Sequence, residues 1–323
     1  MLTHDPLEGH RLSLKHILDA SRTVDPVFLN TPQYRAEALE RELGFELVVK
    51  VETLNPIRSF KGRGADYLVA SLEPGTQIVC ASAGNWGQAM AYACRKRGLE
   101  LICYAANGAN TLKLERIRAL GAEVRLHGED FDAAKLEAKR YAQESVARMV
   151  EDGLDPLISE GAGTLGLELC SYPEPLDAVL IPLGNGAMLN GTARAIKSLS
   201  PKTQVIAVCA QGATSMLESW KANRVIEHER IHTIADGIGV RIPILEAVED
   251  MQGLVDDGLT VSDTQMVEAM RKALETLGVL LEPSGAAGLA AAFQYRSRFA
   301  GKRVATILCG GNVTAEQFRA WFR

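Results

Sequence analysis

Short apolar runs recur along the chain, and helical sequence patterns lie between them. Runs of this kind occupy Leu47–Val51, Gln77–Ala81, Leu99–Tyr104, Glu123–Leu126, Ala178–Leu183, Val205–Cys209 and Val304–Leu308. Strands that lack a polar face are typical of sheets covered by helices on both sides. The alternation therefore predicts an α/β fold with open, twisted, mostly parallel sheets flanked by helices.

One predicted helix is well delimited by its ends. The segment Thr264–Leu277 follows Ser262 and Gln265, which form a capping-box pattern, and precedes Gly278, a typical helix stop. Its apolar stripe consists of Val267, Met270, Leu274 and Leu277. This stripe predicts the face that packs on the protein core.

Composition excludes several classes of protein. The 323 residues are 47% hydrophobic, enough for one large or two medium domains, and the net charge of -5 gives no basic surface for nucleic acid. No apolar run is long enough to span a membrane, and the first residues show no apolar signal core. The six cysteines form no CxxC pair and the histidines no metal-binding spacing, which predicts a cytoplasmic protein without a structural metal.

The first segment whose residues could take part in catalysis contains a lysine. Lys61 follows Pro56 and Phe60 at the start of a predicted helix. The positive potential at a helix N-terminus favours the neutral, nucleophilic amine. The alternative is an ordinary solvated helix lysine.

Three polar turns follow predicted strands, where open α/β sheets place ligands. They are Ser82–Gln88, Gly184–Met188 and Cys309–Asn312. Backbone N–H groups at such turns can bind a carboxylate or a phosphate. Singly, each turn is also explained by a helix cap or a glycine-dependent turn, and Cys309 by a core thiol.

Taken together, the motifs resemble one family of enzymes. The matching stretches, in order, are Asn30-Thr31-Pro32, SFKGRGA around Lys61, SAGNWGQA around Asn85, GNGAMLNG from Gly184, ADGIGV from Ala235, EPSGAAGLAA from Glu282 and CGGN from Cys309. They resemble fold-type II pyridoxal-phosphate enzymes (tryptophan synthase β-like), specifically the threonine/serine dehydratase and serine racemase branch. The resemblance implies two domains, a large cofactor-binding one of residues 1–70 plus 157–323 and a small mobile one of residues 71–156.

The resemblance also assigns site residues. It implies that Lys61 holds pyridoxal 5'-phosphate covalently and removes the substrate α-proton, with Phe60 packed near the cofactor. The turn of Ser82, Ala83, Gly84 and Asn85 would hold the substrate carboxylate, and Asn85 would also contact the cofactor's 3'-oxygen. The phosphate would lie on the backbone of Gly184, Asn185, Gly186, Ala187 and Met188. Cys309 would face the pyridine nitrogen, where a neutral thiol favours prompt loss of a β-substituent over a long-lived carbanion.

The implied activity is that of an ammonia-lyase, which converts L-threonine, L-serine or a related 3-hydroxy amino acid to a 2-oxo acid and ammonia. Alternatives are a racemase, an enzyme of β-elimination or β-replacement on another β-substituted amino acid, and a cofactor-binding protein without turnover. The expected partner is a small amino acid, with neither nucleic acid nor membrane involved. A homodimer or higher homo-oligomer is also expected.

Departures from the family pattern narrow the choice. Ala83 stands where the racemases have a serine base on the opposite face of the ring. The stretch Gln211–Met216 lacks the carboxylates of the racemase metal site, which predicts no metal there. Trp86 replaces a usual histidine, and Arg58 a small residue. Arg58 either meets an anionic group of an unusual substrate or is a solvent-facing loop arginine.

Overall fold

A computed structural model describes residues 5–322. Its strands are β1 Gln33–Arg35, β2 Glu46–Val51, β3 Ile78–Ala81, β4 Leu101–Ala105, β5 Glu123–Leu126, β6 Arg148–Met149, β7 Ala178–Pro182, β8 Gln204–Ala210, β9 Asp257–Val261 and β10 Arg303–Leu308. Its helices are α1 Leu14–Thr23, α2 Glu37–Leu43, α3 Lys61–Ala70, α4 Asn85–Arg97, α5 Thr111–Ala119, α6 Phe131–Ser145, α7 Pro156–Ala162, α8 Thr164–Cys170, α9 Ala187–Leu199, α10 Ser215–Ala222, α11 Leu245–Asp250, α12 Asp263–Leu277, α13 Pro283–Gln294 and α14 Ala315–Trp321.

The strands form two sheets. One has six strands in the order β1-β2-β10-β7-β8-β9, and the other has four in the order β5-β4-β3-β6. Every pairing is parallel except that of β1 with β2. The predicted α/β class with mostly parallel sheets is confirmed.

Helices cover the sheets and enclose separate apolar cores. One core lies between the six-stranded sheet and helices α2, α12 and α13, and a second lies on its opposite face under α8, α9 and α11. A third joins α3 and α4 to the four-stranded sheet, whose other face is covered by α6. Two sheets, each with its own packed helices, leave a cleft between them where strand ends meet.

The predicted strands all form, with ends within two residues of those predicted. Strands β1, β6 and β9 were not predicted. As expected, α12 begins at the capping box of Ser262 with Gln265 and ends at Gly278, whose backbone is in the left-handed conformation. The buried stripe of that helix is shifted from the prediction: Met266, Ala269, Met270 and Ala273 are buried, whereas Val267, Leu274 and Leu277 are only half-buried. Met266, Ala269, Met270 and Ala273 belong to the core cluster that also contains residues of α13, and Val267 and Leu277 pack against that cluster.

The four-stranded sheet and helices α4, α5 and α6 are built from residues 78–149, within the predicted small domain, whereas α3, which also packs on this sheet, precedes it in the chain. The exact boundaries at 71 and 156, and the mobility of that domain, stay predictions. The first four residues of the predicted large domain, and residue 323, lie outside the described residues.

Candidate active site

A cavity of about 660 Å³ lies in the cleft between the two sheets. Its wall is built from the ends of β3, β7 and β10 and from the loops that follow them. Of the predicted site residues, those in the wall are Phe60, Lys61, Ser82, Ala83, Gly84, Asn85, Gly184, Asn185, Gly186, Met188 and Cys309. Segments far apart in sequence thus meet at one place, at the carboxyl ends of parallel strands.

Lys61 is the first residue of α3, as predicted. Its side chain is 12% exposed, and its Nζ lies 2.5 Å from Oδ2 of Asp152 and 4.7 Å from the ring centre of Phe60. Two residues further on, the fully buried Arg63 forms ion pairs with Glu52 and Glu168. These contacts fix α3 on the six-stranded sheet and thereby fix the position of the Lys61 amine.

The turn after β3 leads directly into α4. The hydroxyl of Ser82 accepts a hydrogen bond from the Gly84 N–H (3.1 Å). Gly84 occupies the N-cap of the 13-residue α4, and no side chain caps that end. The first N–H groups of α4 are therefore available to an anion in the cavity.

Asn85 is held by a network of amides and a carboxylate. Its Nδ2 donates to Oε1 of Glu282 (2.6 Å), and its Oδ1 accepts from Nδ2 of Asn312 (2.8 Å). The backbone N–H of Asn312 also donates to Glu282 (3.1 Å). A side chain at Gly310 would place its Cβ 2.2 Å from Glu282 Oε1, so only glycine leaves room for this network.

Glu282 is buried at the base of the cavity. Burial, together with the nearby Asp236 carboxylate, raises the pKa of Glu282 to about 7. A proton can therefore reside on this carboxyl group near neutral pH.

The glycine-containing turn after β7 faces the same cavity. Gly186 has a φ of +96° and forms the N-cap of the 13-residue α9 without a capping side chain. Ala187 is an exception among the predicted site residues, because it does not line the cavity and its N–H donates to Oδ1 of Asn185 (3.2 Å). The turn offers a second helix N-terminus to an anion.

Cys309 lies at the end of β10, and its carbonyl accepts a hydrogen bond from the Phe60 N–H (3.0 Å). Burial raises the pKa of the Cys309 thiol well above its ordinary value, so the thiol is neutral. Beside it, the buried hydroxyl of Ser284 lines the cavity and has no hydrogen-bond partner within residues 5–322. Both groups could meet a polar atom of a bound ring.

These features fit pyridoxal 5'-phosphate. An amine able to bond to an aldehyde, uncapped helix N-termini for a phosphate and a carboxylate, and an unpartnered buried hydroxyl beside a neutral thiol line one cavity. No group of three or more His, Cys, Asp or Glu side chains among the described residues is arranged to hold a metal ion.

Arg58 does not reach the cavity. It is exposed, has a φ of +53°, and is not among the residues of the cavity wall. The solvent-facing alternative describes its position, and the hypothesis that it binds an anionic substrate group lacks support. Trp86, in contrast, is buried in the wall, and its Nε1 has no hydrogen-bond partner in the described part of the chain.

Several residues of the site were not singled out from the sequence. Glu282, Asn312 and Asp236 stand inside motifs that carry the family resemblance, so those motifs held a signal for them. Asp152 had none, because it lies in an irregular loop after β6, 91 residues from its partner Lys61.

Comparisons with known proteins identify the family of the chain. A family model described as "Pyridoxal-phosphate dependent enzyme" matches residues 24–310. The biosynthetic L-threonine dehydratase of Salmonella typhimurium is 33% identical over 90% of this chain, and the L-threonine ammonia-lyase of Thermotoga maritima is 33% identical over 94%.

The chain spans 57% of the length of the Salmonella relative and 76% of that from Thermotoga. The structure of maize serine racemase superposes with a TM-score of 0.90 at 27% identity, with 96% of each chain covered. Since the family model covers most of the chain, the chain belongs to the family of pyridoxal-phosphate dependent enzymes.

Proposed function

We propose that this protein is a pyridoxal-phosphate dependent ammonia-lyase acting on L-threonine, L-serine or a related 3-hydroxy amino acid. The products are a 2-oxo acid and ammonia. One observation supports this proposal most strongly: the cavity combines the Lys61 amine with a neutral Cys309 thiol, and at Ala83 it lacks a second base. The dehydratase relatives are consistent with it.

Each residue of the site has a distinct role in this reaction. Lys61 holds the cofactor and takes the α-proton of the bound amino acid. The bound cofactor supplies the electron sink that makes this proton acidic. The N–H groups at the start of α4 orient the substrate carboxylate, with Ser82 and Asn85 shaping the turn. Gly184, Asn185, Gly186 and Met188, which line the cavity, would hold the phosphate, and Phe60 lies against the Lys61 side chain.

A racemase is the second candidate, because maize serine racemase shares the fold closely. Racemisation needs a proton donor on the face of the substrate opposite Lys61. The methyl group of Ala83 cannot supply one, and this residue is part of the cavity wall. The lyase is therefore the better supported reaction.

The experiment that tests this compares two products from L-serine and L-threonine. Purified protein with pyridoxal phosphate should release a 2-oxo acid at a rate far above that of D-amino acid formation, measured by a keto-acid assay and chiral chromatography. Lys61→Ala should lower kcat/KM by about a thousandfold or more. Rapid formation of D-serine with little keto acid would instead support the racemase.

Assembly into a homodimer and a cytoplasmic location are part of the proposal. The six cysteines are all free, as suits a reducing compartment. No helix within residues 5–322 has the length and apolarity needed to cross a membrane.

A further inference from the structure

We propose that Asp152 is a specificity-determining residue that selects amino acids with an ammonium group on the side chain over neutral ones of the same shape. The inference rests on the proposed function, since it concerns the substrate of the same site. Its basis is the position of one carboxylate beside the lysine that performs the chemistry.

Asp152 lies in the wall of the cavity, and its side chain is only 15% exposed. One oxygen, Oδ2, pairs with Lys61 Nζ at 2.5 Å. The other, Oδ1, is buried and has no hydrogen-bond partner among residues 5–322. A buried carboxylate with an unused oxygen is costly unless a donor or a cation meets it.

The catalytic use of Lys61 removes the only cation paired with Asp152 among the described residues. In its two proposed roles the nitrogen of Lys61 is either bonded to the cofactor aldehyde or keeps a lone pair for the substrate α-proton, so in neither role does it present three N–H donors to the carboxylate. Asp152 is then left facing the cavity with less compensation than the ion pair gave. Losing one partner of such a pair is far more costly than losing both.

Neighbouring cations do not replace Lys61, because each is already engaged. Lys135 and Lys139 both pair with Glu151, at 3.0 and 2.7 Å. Lys113 pairs with Asp236 across the cleft. A positively charged group on the substrate can therefore pair with the Asp152 carboxylate in place of Lys61.

The charge of the cavity wall points to a cation rather than a neutral hydroxyl. Apart from Glu282 and Lys61, the wall carries five carboxylates and three cations: Asp130, Asp132, Glu151, Asp152 and Asp236 against Lys113, Lys135 and Arg241. A bound phosphate adds further negative charge. An ammonium group gains from this field, whereas a hydroxyl gains one hydrogen bond at most.

The test measures equilibrium binding to the holoenzyme through the absorbance change of its bound cofactor. The two ligands are L-2,4-diaminobutyrate and L-norvaline, which have the same number of heavy atoms and differ in the charge of the terminal group. Neither carries a β-leaving group, so the readout does not depend on turnover. We expect the wild-type protein to bind the diamino acid about tenfold more tightly or better.

Asp152→Asn should abolish this preference, because the amide keeps the shape but not the charge. Asp152→Ser provides a second, smaller replacement if the first is poorly folded. The matched control is Glu151→Gln, which removes one negative charge from the adjacent residue of the same wall. The control should keep the preference, since Glu151 is bound by two lysines.

Equal binding of both ligands by the wild-type protein overturns the inference without any variant. So does an unchanged preference in Asp152→Asn, or an equal loss in Glu151→Gln, which would assign the effect to the general field. Failure of the proposed function would look different: no 2-oxo acid would form from any 3-hydroxy amino acid, whatever the ligand preference.

Discussion

At the scale of single residues, the protonation state of Glu282 makes the hydrogen-bond network of the candidate active site depend on pH. Its carboxyl group accepts from the side chain of Asn85 and from the backbone of Asn312, so its protonation state acts directly on the proposed substrate-binding turn. Burial raises its pKa to about 7, well above the ordinary value of 4.5. The folded protein therefore binds this proton more tightly than the unfolded chain does.

The first prediction concerns stability against pH. Below pH 4.5 Glu282 is protonated in both states and carries no penalty; above pH 7 it is ionised in both and destabilises the fold. Relative to the wild type, Glu282→Gln should therefore gain up to about 3 kcal/mol in the free energy of unfolding between pH 4.5 and 8. Denaturant unfolding of both proteins across this range measures the difference.

The difference between the two proteins cancels every group that titrates alike in both. A constant offset across the pH range would show that Glu282 keeps an ordinary pKa in the fold. If Glu282→Gln instead stabilised the protein more at low pH than at high pH, the pKa of Glu282 would be lowered by folding. The hydrogen bonds from Asn85 and Asn312 would then outweigh the effect of burial.

Residues of the site differ in how far the sequence revealed them. Lys61 and Asn85 stand in motifs whose local form, a helix start after a turn, already indicates chemistry. Asp152 has no such context, because its contact with Lys61 joins an irregular loop to the start of α3 across 91 residues of sequence. Arg58 is the opposite case: it is an unusual residue inside a motif, but it is exposed and does not line the cavity.

At the scale of elements, helix α3 positions the amine of Lys61 and is itself held by a buried charge cluster. Arg63 donates to both oxygens of Glu52, at 2.8 and 2.9 Å, and to Glu168 at 2.6 Å. Lys50 also pairs with Glu168, at 2.5 Å. The cluster ties α3 to β2 and α8 at once.

We predict that Arg63→Met lowers the free energy of unfolding by about 3–5 kcal/mol, because Glu52 keeps a buried charge without its partner. Denaturant unfolding measures the loss. Arg140→Met is the control: Arg140 pairs with Glu137 and Glu144 on the exposed face of α6, and its removal should leave the unfolding midpoint nearly unchanged.

A variant within about 1 kcal/mol of the wild type would show that water enters and solvates Glu52. In that case α3 would be held by apolar contacts alone. The position of Lys61 would then not depend on the cluster.

Elements with a continuous apolar run were predictable, and those without one were not. Strand β7, AVLIP, is buried at every position and was found from its run. Strand β9, DGLTV, is half-buried and mixed in composition, and β6 has only two residues. Both strands form because a neighbouring strand offers an edge, and that information lies in tertiary structure rather than in the segment itself.

At the scale of the whole molecule, two ion pairs bridge the cleft between the sheets. Lys113 on α5 pairs with Asp236, and Asp132 on α6 pairs with Arg241. Both partners from the six-stranded side belong to the long connection of residues 223–244, and all four residues line the cavity. The pairs therefore join the two sides of the cleft along one side of the cavity.

The last prediction is that Asp132→Asn loosens the connection of residues 223–244 at the side of the cavity without unfolding the protein. Amide hydrogen exchange in residues 223–244 should speed up by about threefold, because a partly exposed pair contributes little but acts directly on this connection. High salt should have the same effect on the wild-type protein. The control is Glu144→Gln, which breaks a pair with Arg140 within α6 and should leave the exchange unchanged.

A charge-swapped double variant, Asp132→Arg with Arg241→Asp, separates charge from shape. Restored slow exchange would show that attraction across the cleft closes this side of the cavity. If exchange in residues 223–244 stays slow in Asp132→Asn, packing of the connection on the six-stranded sheet holds it instead. Ile238, buried in the core cluster under α13, would then be the contact responsible, and access to the cavity would be independent of salt.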